Sequence, residues 1–129
     1  MGFEVEPCLG NKRPCILYDY PAPLASLAKL KPGDNNLAQR FELYVAGIEL
    51  ANEFTELTDP IFQRQRFVLE NQIRSDRGQP PLPLPEKFLA DLKQMPDSAG
   101  IALGVDRLVM LFCNAACIDE VVAFVPQAL

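Results

Sequence analysis

A chain of 129 residues with 49% apolar and 22% charged side chains has the composition of one core-forming domain, far from the low-hydrophobicity, high-charge corner of disordered segments. Its net charge of −5 argues against a nucleic-acid-binding surface, and the absence of histidine removes Ser-His-Asp triads, Cys-His pairs and His-ligated metals. No targeting segment opens the sequence and no apolar run approaches the roughly 18 residues of a membrane span, so the expected setting is soluble, reducing and cytoplasmic, without membrane contact.

In chain order, residues 1–15 read as irregular, broken by Pro7, Gly10 and Pro14. Cys15 to Tyr20 reads as a short strand stopped by Pro21, and Leu24 to Leu30 as a short helix ended by Lys31-Pro32-Gly33. Phe41, Leu43 and Val45 alternate with Glu42 and Tyr44, and Ile48-Glu49-Leu50-Ala51 follows Gly47; this is a hairpin turning at Val45-Ala46. Thr58-Asp59-Pro60 supplies a cap and an N1 proline for a helix running to about Arg77, with Gly78 as its stop. Residues 79–85 form a proline-rich run, read as a stiff connector rather than a ligand for an SH3-like groove. A helix from Glu86 to Met95, a buried strand from Gly100 to Val105, a helix capped by Asp106 and running to about Cys113, and a last strand from Glu120 to Val125 complete the expected order. Strands mixed with helices on one side suggest an α+β fold with a mainly antiparallel sheet. The four cysteines, Cys8, Cys15, Cys113 and Cys117, form no C-x-x-C pair, and without histidine they read as ordinary thiols rather than a zinc site.

Three segments carry candidate chemistry. With the turn at Val45-Ala46, Glu42 lies directly opposite Glu49, where side chains stand roughly 4.5–5.5 Å apart at Cβ and like charges repel. A divalent cation between them reverses the sign of that interaction, and Mg²⁺ takes such oxygen ligands together with substrate phosphates; the plain alternative is two solvated acids that splay apart. In Glu49 to Glu56, strict alternation sends Glu49 and Glu56 to opposite faces, so a shared cavity requires a bulge or break near Asn52. In Gly100 to Arg107, a strand glycine permits close backbone approach, and Arg107 in the first turn of the next helix can meet phosphate oxygens.

Gly-Ile-Glu-Leu-Ala-Asn at 47–52, Glu-Leu-Thr-Asp at 56–59 and Gly-Ile-Ala-Leu-Gly-Val-Asp-Arg-Leu-Val-Met-Leu at 100–111 occur in this order in one family. The chain resembles the C-terminal part of a class II lysyl-tRNA synthetase catalytic domain, the last string being similar to its motif 3. The likeness runs from about Phe3 to Phe124 and is closest to the synthetase paralogs that attach lysine or β-lysine to elongation factor P. Ala102, where lysyl-tRNA synthetases usually carry Gly, and Met95-Pro96-Asp97-Ser98 favour the paralog.

The resemblance implies ATP and Mg²⁺ as cofactors. Glu42 and Glu49 match the Mg²⁺-binding acids, and Leu50 and Gly104 match positions lining the nucleotide. Asn52, Glu56 and Ala102 match the amino-acid pocket, with Glu56 balancing a substrate ammonium. Arg107 matches the arginine that meets the γ-phosphate, so Arg107 and Glu49 are the expected catalytic residues. It also implies a homodimer for the full-length family. Three features depart from the pattern: Glu53 stands where the family has Gly, adding charge beside the pocket; Gln94 replaces a usual Gly; and nothing corresponds to motifs 1 and 2. The expectation is therefore a single partial catalytic domain over residues 1–129, inactive alone, in ATP–pyrophosphate exchange for example. A portion of a true lysyl-tRNA synthetase, with tRNA as acceptor, and a non-catalytic synthetase-like binding module are the alternatives.

Overall fold

The computed structural model describes residues 4–125, so Phe3 lies outside the described residues. Its elements are β1 (Cys15–Pro21), β2 (Leu30–Lys31), β3 (Asp34–Val45), β4 (Ile48–Thr55), α1 (Pro60–Asp76), α2 (Glu86–Leu92), β5 (Ala99–Leu103) and α3 (Val105–Cys113), with single 3₁₀ turns at Glu6–Cys8, Ala22–Leu24 and Ile118–Glu120. The sheet is antiparallel in every pairing, ordered β1-β3-β4-β5, with β2 pairing β3 off that path. The expected α+β class with a mainly antiparallel sheet holds. No helix among the described residues is long and apolar enough to cross a membrane.

The hairpin differs from expectation by one residue. β3 and β4 turn at Ala46-Gly47, with Val45 opposite Ile48 and both turn residues at positive φ (52° and 77°), as a type I′ turn requires. Gly47 takes the second of those positions without strain, which is why the turn sits there and not at Val45-Ala46. The amides of Ala46 and Gly47 donate to the Gly10 and Leu9 carbonyls, so the N-terminal segment lies flat on the hairpin tip. A Cβ on Gly10 would meet the Tyr44 carbonyl oxygen at 2.4 Å, a contact only glycine permits.

The stretch expected as a helix over 24–30 is instead a 3₁₀ turn followed by an extended segment. Its backbone groups are claimed by the sheet: Lys29 donates to the Thr55 carbonyl, Leu57 to Leu27, and Gln39 to Lys29. Ala25 and Ala28 pack with Tyr20 and Ala38 as a small-residue core, flanked by Leu17, Leu30 and Phe54. Side chains without bulk let the connector lie close against the sheet, and tertiary pairing overrides local helix preference.

α1 forms as read. Asp59 caps it by accepting from the Ile61 and Phe62 amides, worth about 1 kcal/mol, Pro60 stands at N1, and Gly78 follows its end at φ 72°. Arg66 of α1 donates to the carbonyls of Ser26 and Ala28, tying the helix to the connector, and burial lowers its pKa. The proline-rich run lies exposed on the surface but is pinned to α1: Asn71 both donates to the Leu82 carbonyl and accepts from its amide, and Arg64 forks onto Glu86 just beyond the run.

Later elements shift in detail. α2 stops at Leu92, short of Met95. β5 covers Ala99–Leu103, and it is not buried: Ile101 is 61% and Leu103 51% exposed. α3 starts at Val105 with Gly104 as its cap, so Asp106 lies inside the first turn and caps nothing. The segment expected as a last strand, Glu120 to Val125, follows the final 3₁₀ turn and pairs with nothing in the sheet.

Candidate functional site

Two irregularities decide which side chains share a face. Along β3 and β4, Leu43 faces Ala51 but Tyr44 faces Glu49, so Leu50 is an extra residue on β4. This bulge re-phases the strand. Glu49 before it and Asn52 and Phe54 after it then stand on one side, with Arg40, Glu42 and Tyr44 of β3. Glu56, two residues beyond Phe54, continues that row and pairs with Ala28 of the connector. A break near Asn52 was required for Glu49 and Glu56 to meet one cavity, and the Leu50 bulge provides it. A second irregularity, at Asp19 (φ 57°), brings Tyr20 of β1 onto the same side.

Glu42 is therefore not opposite Glu49. Its partner is Asn52, while Tyr44 faces Glu49, so the two acids lie diagonally on one face. Glu42 is 6% exposed and accepts from four groups: Tyr20 and Tyr44 hydroxyls at Oε2, and Arg40 Nη2 and Asn52 Nδ2 at Oε1. A carboxylate has about four lone-pair sites, so all of this one's are used. Burial first, and the Glu42 hydrogen bond second, push both tyrosine hydroxyls well above the ordinary tyrosine value and keep them protonated donors.

Around Glu49 a second knot forms. Arg107 Nη1 donates to the Glu49 carbonyl at 2.7 Å and lies 3.5 Å from its carboxylate, and the Gly104 amide donates to the Leu50 carbonyl at 2.9 Å. A Cβ on Gly104 would sit 3.2 Å from Arg107 Cδ, so glycine lets the arginine fold back across the turn. The four residues expected around a nucleotide, Glu49, Leu50, Gly104 and Arg107, thus meet at one corner of the sheet. At the other end of the row, a Cβ on Gly100 would fall 2.6 Å from Glu56 Oε1; the missing side chain is the space the carboxylate occupies. Ala102 lies opposite Asn52 on β5.

Glu53 is a correction. It pairs with Phe41 and Ile101, so its side chain stands on the reverse face of the sheet rather than in the pocket row. Burial, then the Glu56 charge, raises its pKa.

Among the described residues no three His, Cys, Asp or Glu side chains form a metal cluster. A Mg²⁺ that relies on one or two carboxylates plus phosphate needs no such cluster. Glu49 fits that part, with its side chain 32% exposed and Arg107 beside it. Glu42 fits once it gives up a donor, and the longest of the four is Asn52 Nδ2 at 3.2 Å.

Arg40, Tyr20, Tyr44 and Phe54 escaped the sequence reading as site residues. For Arg40, Tyr44 and Phe54 a signal existed, since each lies two residues from a candidate on the same strand. For Tyr20 there was none, because its contact with Glu42 spans 22 positions and depends on the Asp19 irregularity.

A family model described as tRNA synthetases class II (D, K and N) matches residues 4–128. The chain is 51% identical over 123 residues to the elongation factor P–(R)-β-lysine ligase of Edwardsiella ictaluri, and 50% over 123 residues to that of Pectobacterium carotovorum, covering 95% of this chain and 38% of each relative. It is 50% identical over 121 residues to the ligase of the same name from Yersinia pestis, covering 93% and 37%. The chain spans little more than a third of the length of these relatives. The antiparallel sheet with its three helices is consistent with the match, and the chain belongs to the class II tRNA synthetase (D, K and N) family.

Proposed function

We propose that this chain is a portion of an ATP-dependent ligase that activates lysine or (R)-β-lysine as an adenylate and transfers it to a lysine of elongation factor P. The observation that carries this reading is the Leu50 bulge, which lines Glu42, Glu49, Asn52 and Glu56 along one face with Arg107 at its end. Half identity to three ligases of that name supports the choice of amino acid and acceptor.

The roles follow from the chemistry of each group. Glu56, set in the notch of Gly100, balances the ammonium of the amino acid; Asn52 and Ala102 shape the wall beside it. The backbone at Leu50 and Gly104 borders the nucleotide, and Arg107 turns its guanidinium to the terminal phosphate. Glu49 and Glu42 hold Mg²⁺, which when bound neutralises charge on the phosphates. The substrate carboxylate oxygen attacks the α-phosphorus and pyrophosphate leaves. The acceptor lysine amine then attacks the adenylate carbonyl, and AMP leaves. The working enzyme is a cytoplasmic homodimer.

The test is a chimera in which this chain replaces the matched 123 residues of the Edwardsiella ictaluri ligase. Expected is ATP–pyrophosphate exchange dependent on lysine or (R)-β-lysine and labelling of elongation factor P, with Arg107→Ala lowering exchange by about 10²–10³-fold. Labelling of tRNA instead would make the chain part of a lysyl-tRNA synthetase. A folded chimera without exchange would reduce it to a binding module.

A further inference from the structure

We propose that Arg40 is a positioning residue for the amino-acid pocket, its guanidinium fixing which way round the Asn52 amide stands. The proposal rests on the pocket reading above, in which Asn52 faces the substrate. An asparagine amide has nearly the same shape either way round, so its hydrogen-bond partners decide whether oxygen or nitrogen meets a ligand. Here the partners leave no choice. Arg40 Nε can only donate, and it reaches Asn52 Oδ1 at 3.3 Å. The Glu42 carboxylate can only accept, and it takes Asn52 Nδ2 at 3.2 Å. Turning the amide over would set N–H against guanidinium and carbonyl against carboxylate, both in a partly buried setting where such contacts are costly.

Arg40 is itself held without help from Asn52. Its Nη1 donates to the Leu24 carbonyl at 2.6 Å, and Nη2 pairs with Glu42. Its guanidinium lies 4.4 Å from the Tyr20 ring centroid and 5.4 Å from that of Phe54. Three nitrogens in one rigid plane therefore meet three acceptors, Leu24, Glu42 and Asn52. A lysine carries the same charge but has no fork to do this. When a ligand or cation draws Asn52 Nδ2 away from Glu42, Arg40 Nε still marks Oδ1 as the inward end.

The experiment uses the 129-residue chain, with NMR of the Asn52 side-chain amide, assigned by its loss in Asn52→Ser, and of the Arg40 Nε–H. In the unaltered chain the Arg40 Nε–H should exchange with water at least about tenfold more slowly than that of the exposed Arg13. Arg40→Lys should move the Asn52 amide signals to free-amide positions. It should also weaken binding of L-lysine and (R)-β-lysine by about tenfold, an effect that shrinks to within about twofold in the Asn52→Ser background. Unchanged Asn52 signals in Arg40→Lys, or the same tenfold loss without Asn52, overturns the proposal. If Arg40→Lys does not fold, the unaltered chain decides: an Arg40 Nε–H that exchanges as freely as that of Arg13 overturns it. If neither amino acid binds the unaltered chain and Glu56 gives no response, the pocket reading fails, while the amide and exchange data still judge Arg40.

Discussion

The two faces of the sheet are built on opposite plans. On the site face the ionic and polar groups are the covered ones: Glu42, Tyr44 and Tyr20 are buried, and Arg40 is held between rings. On the reverse face the apolar groups are the open ones, with Ile16 at 56%, Tyr18 at 69%, Ile101 at 61% and Leu103 at 51% exposed. A lone globular domain arranges this the other way, so an exposed apolar sheet face marks a surface made for covering. The comparison teaches where order resides. The site face is self-sufficient because Tyr20, Arg40, Glu42, Tyr44 and Asn52 find their partners in one another and in the Leu24 carbonyl. The reverse face depends on whatever covers it.

Four variants break or sharpen this contrast. Glu42→Ala has the largest effect, since it leaves Arg40, two tyrosine hydroxyls and the Asn52 amide without their shared acceptor; a loss of about 3–5 kcal/mol is expected in denaturant unfolding. A loss below about 1 kcal/mol would show that the site face is not a closed network. Gly100→Ala comes next. The new methyl group displaces the Glu56 carboxylate, so lysine affinity should drop by about tenfold or more with little change in fold, read by calorimetric titration.

On the reverse face, Ile101→Lys with Leu103→Lys should leave stability within about 0.5 kcal/mol for each change while raising the monomer fraction in sedimentation. The same pair placed on the site face would unfold the chain. The smallest effect belongs to Glu53→Gln. Because the folded-state pKa of Glu53 is raised, its share of stability is complete below the ordinary carboxylate value and is lost as pH rises through the raised one. Glu53→Gln should therefore stabilise at neutral pH, by about 0.5 kcal/mol or less, and the gain should vanish in acid. A gain that grows as pH falls would reverse the sign argued here.

What could be read from the amino acids divides along physical lines. α1 was legible because its start and stop are local chemistry: Asp59, Pro60 and Gly78 each act on backbone next to them. The antiparallel sheet was legible from alternation. The hairpin turn was misplaced by one residue although Gly47 offered the signal, since a type I′ turn wants glycine at its second position. The connector over 24–30 was not legible, because its apolar spacing suits a helix and only the carbonyls and amides of β3 and β4 claim it for the sheet. For the site, pairing and helix position singled out Glu42, Glu49 and Arg107, resemblance gave them and Asn52 and Glu56 their roles, and the need for a bulge came from counting. Where the extra residue would fall, at Leu50, and how Glu42 would be enclosed did not, since both depend on contacts between strands distant in sequence.

The extra residue at Leu50 makes this site a matter of arithmetic. Because strand side chains alternate with a period of two, adding one residue to β3 between Leu43 and Tyr44, opposite Leu50, would restore regular pairing and send Glu49 to the far side of the ribbon from Asn52, whereas removing Leu50 would leave Glu49 opposite Tyr44. Such a hairpin tolerates exchange of one side chain for another far better than an extra residue on the strand facing the bulge. A single residue inserted between Leu43 and Tyr44 would therefore erase function where a library of substitutions only tunes it.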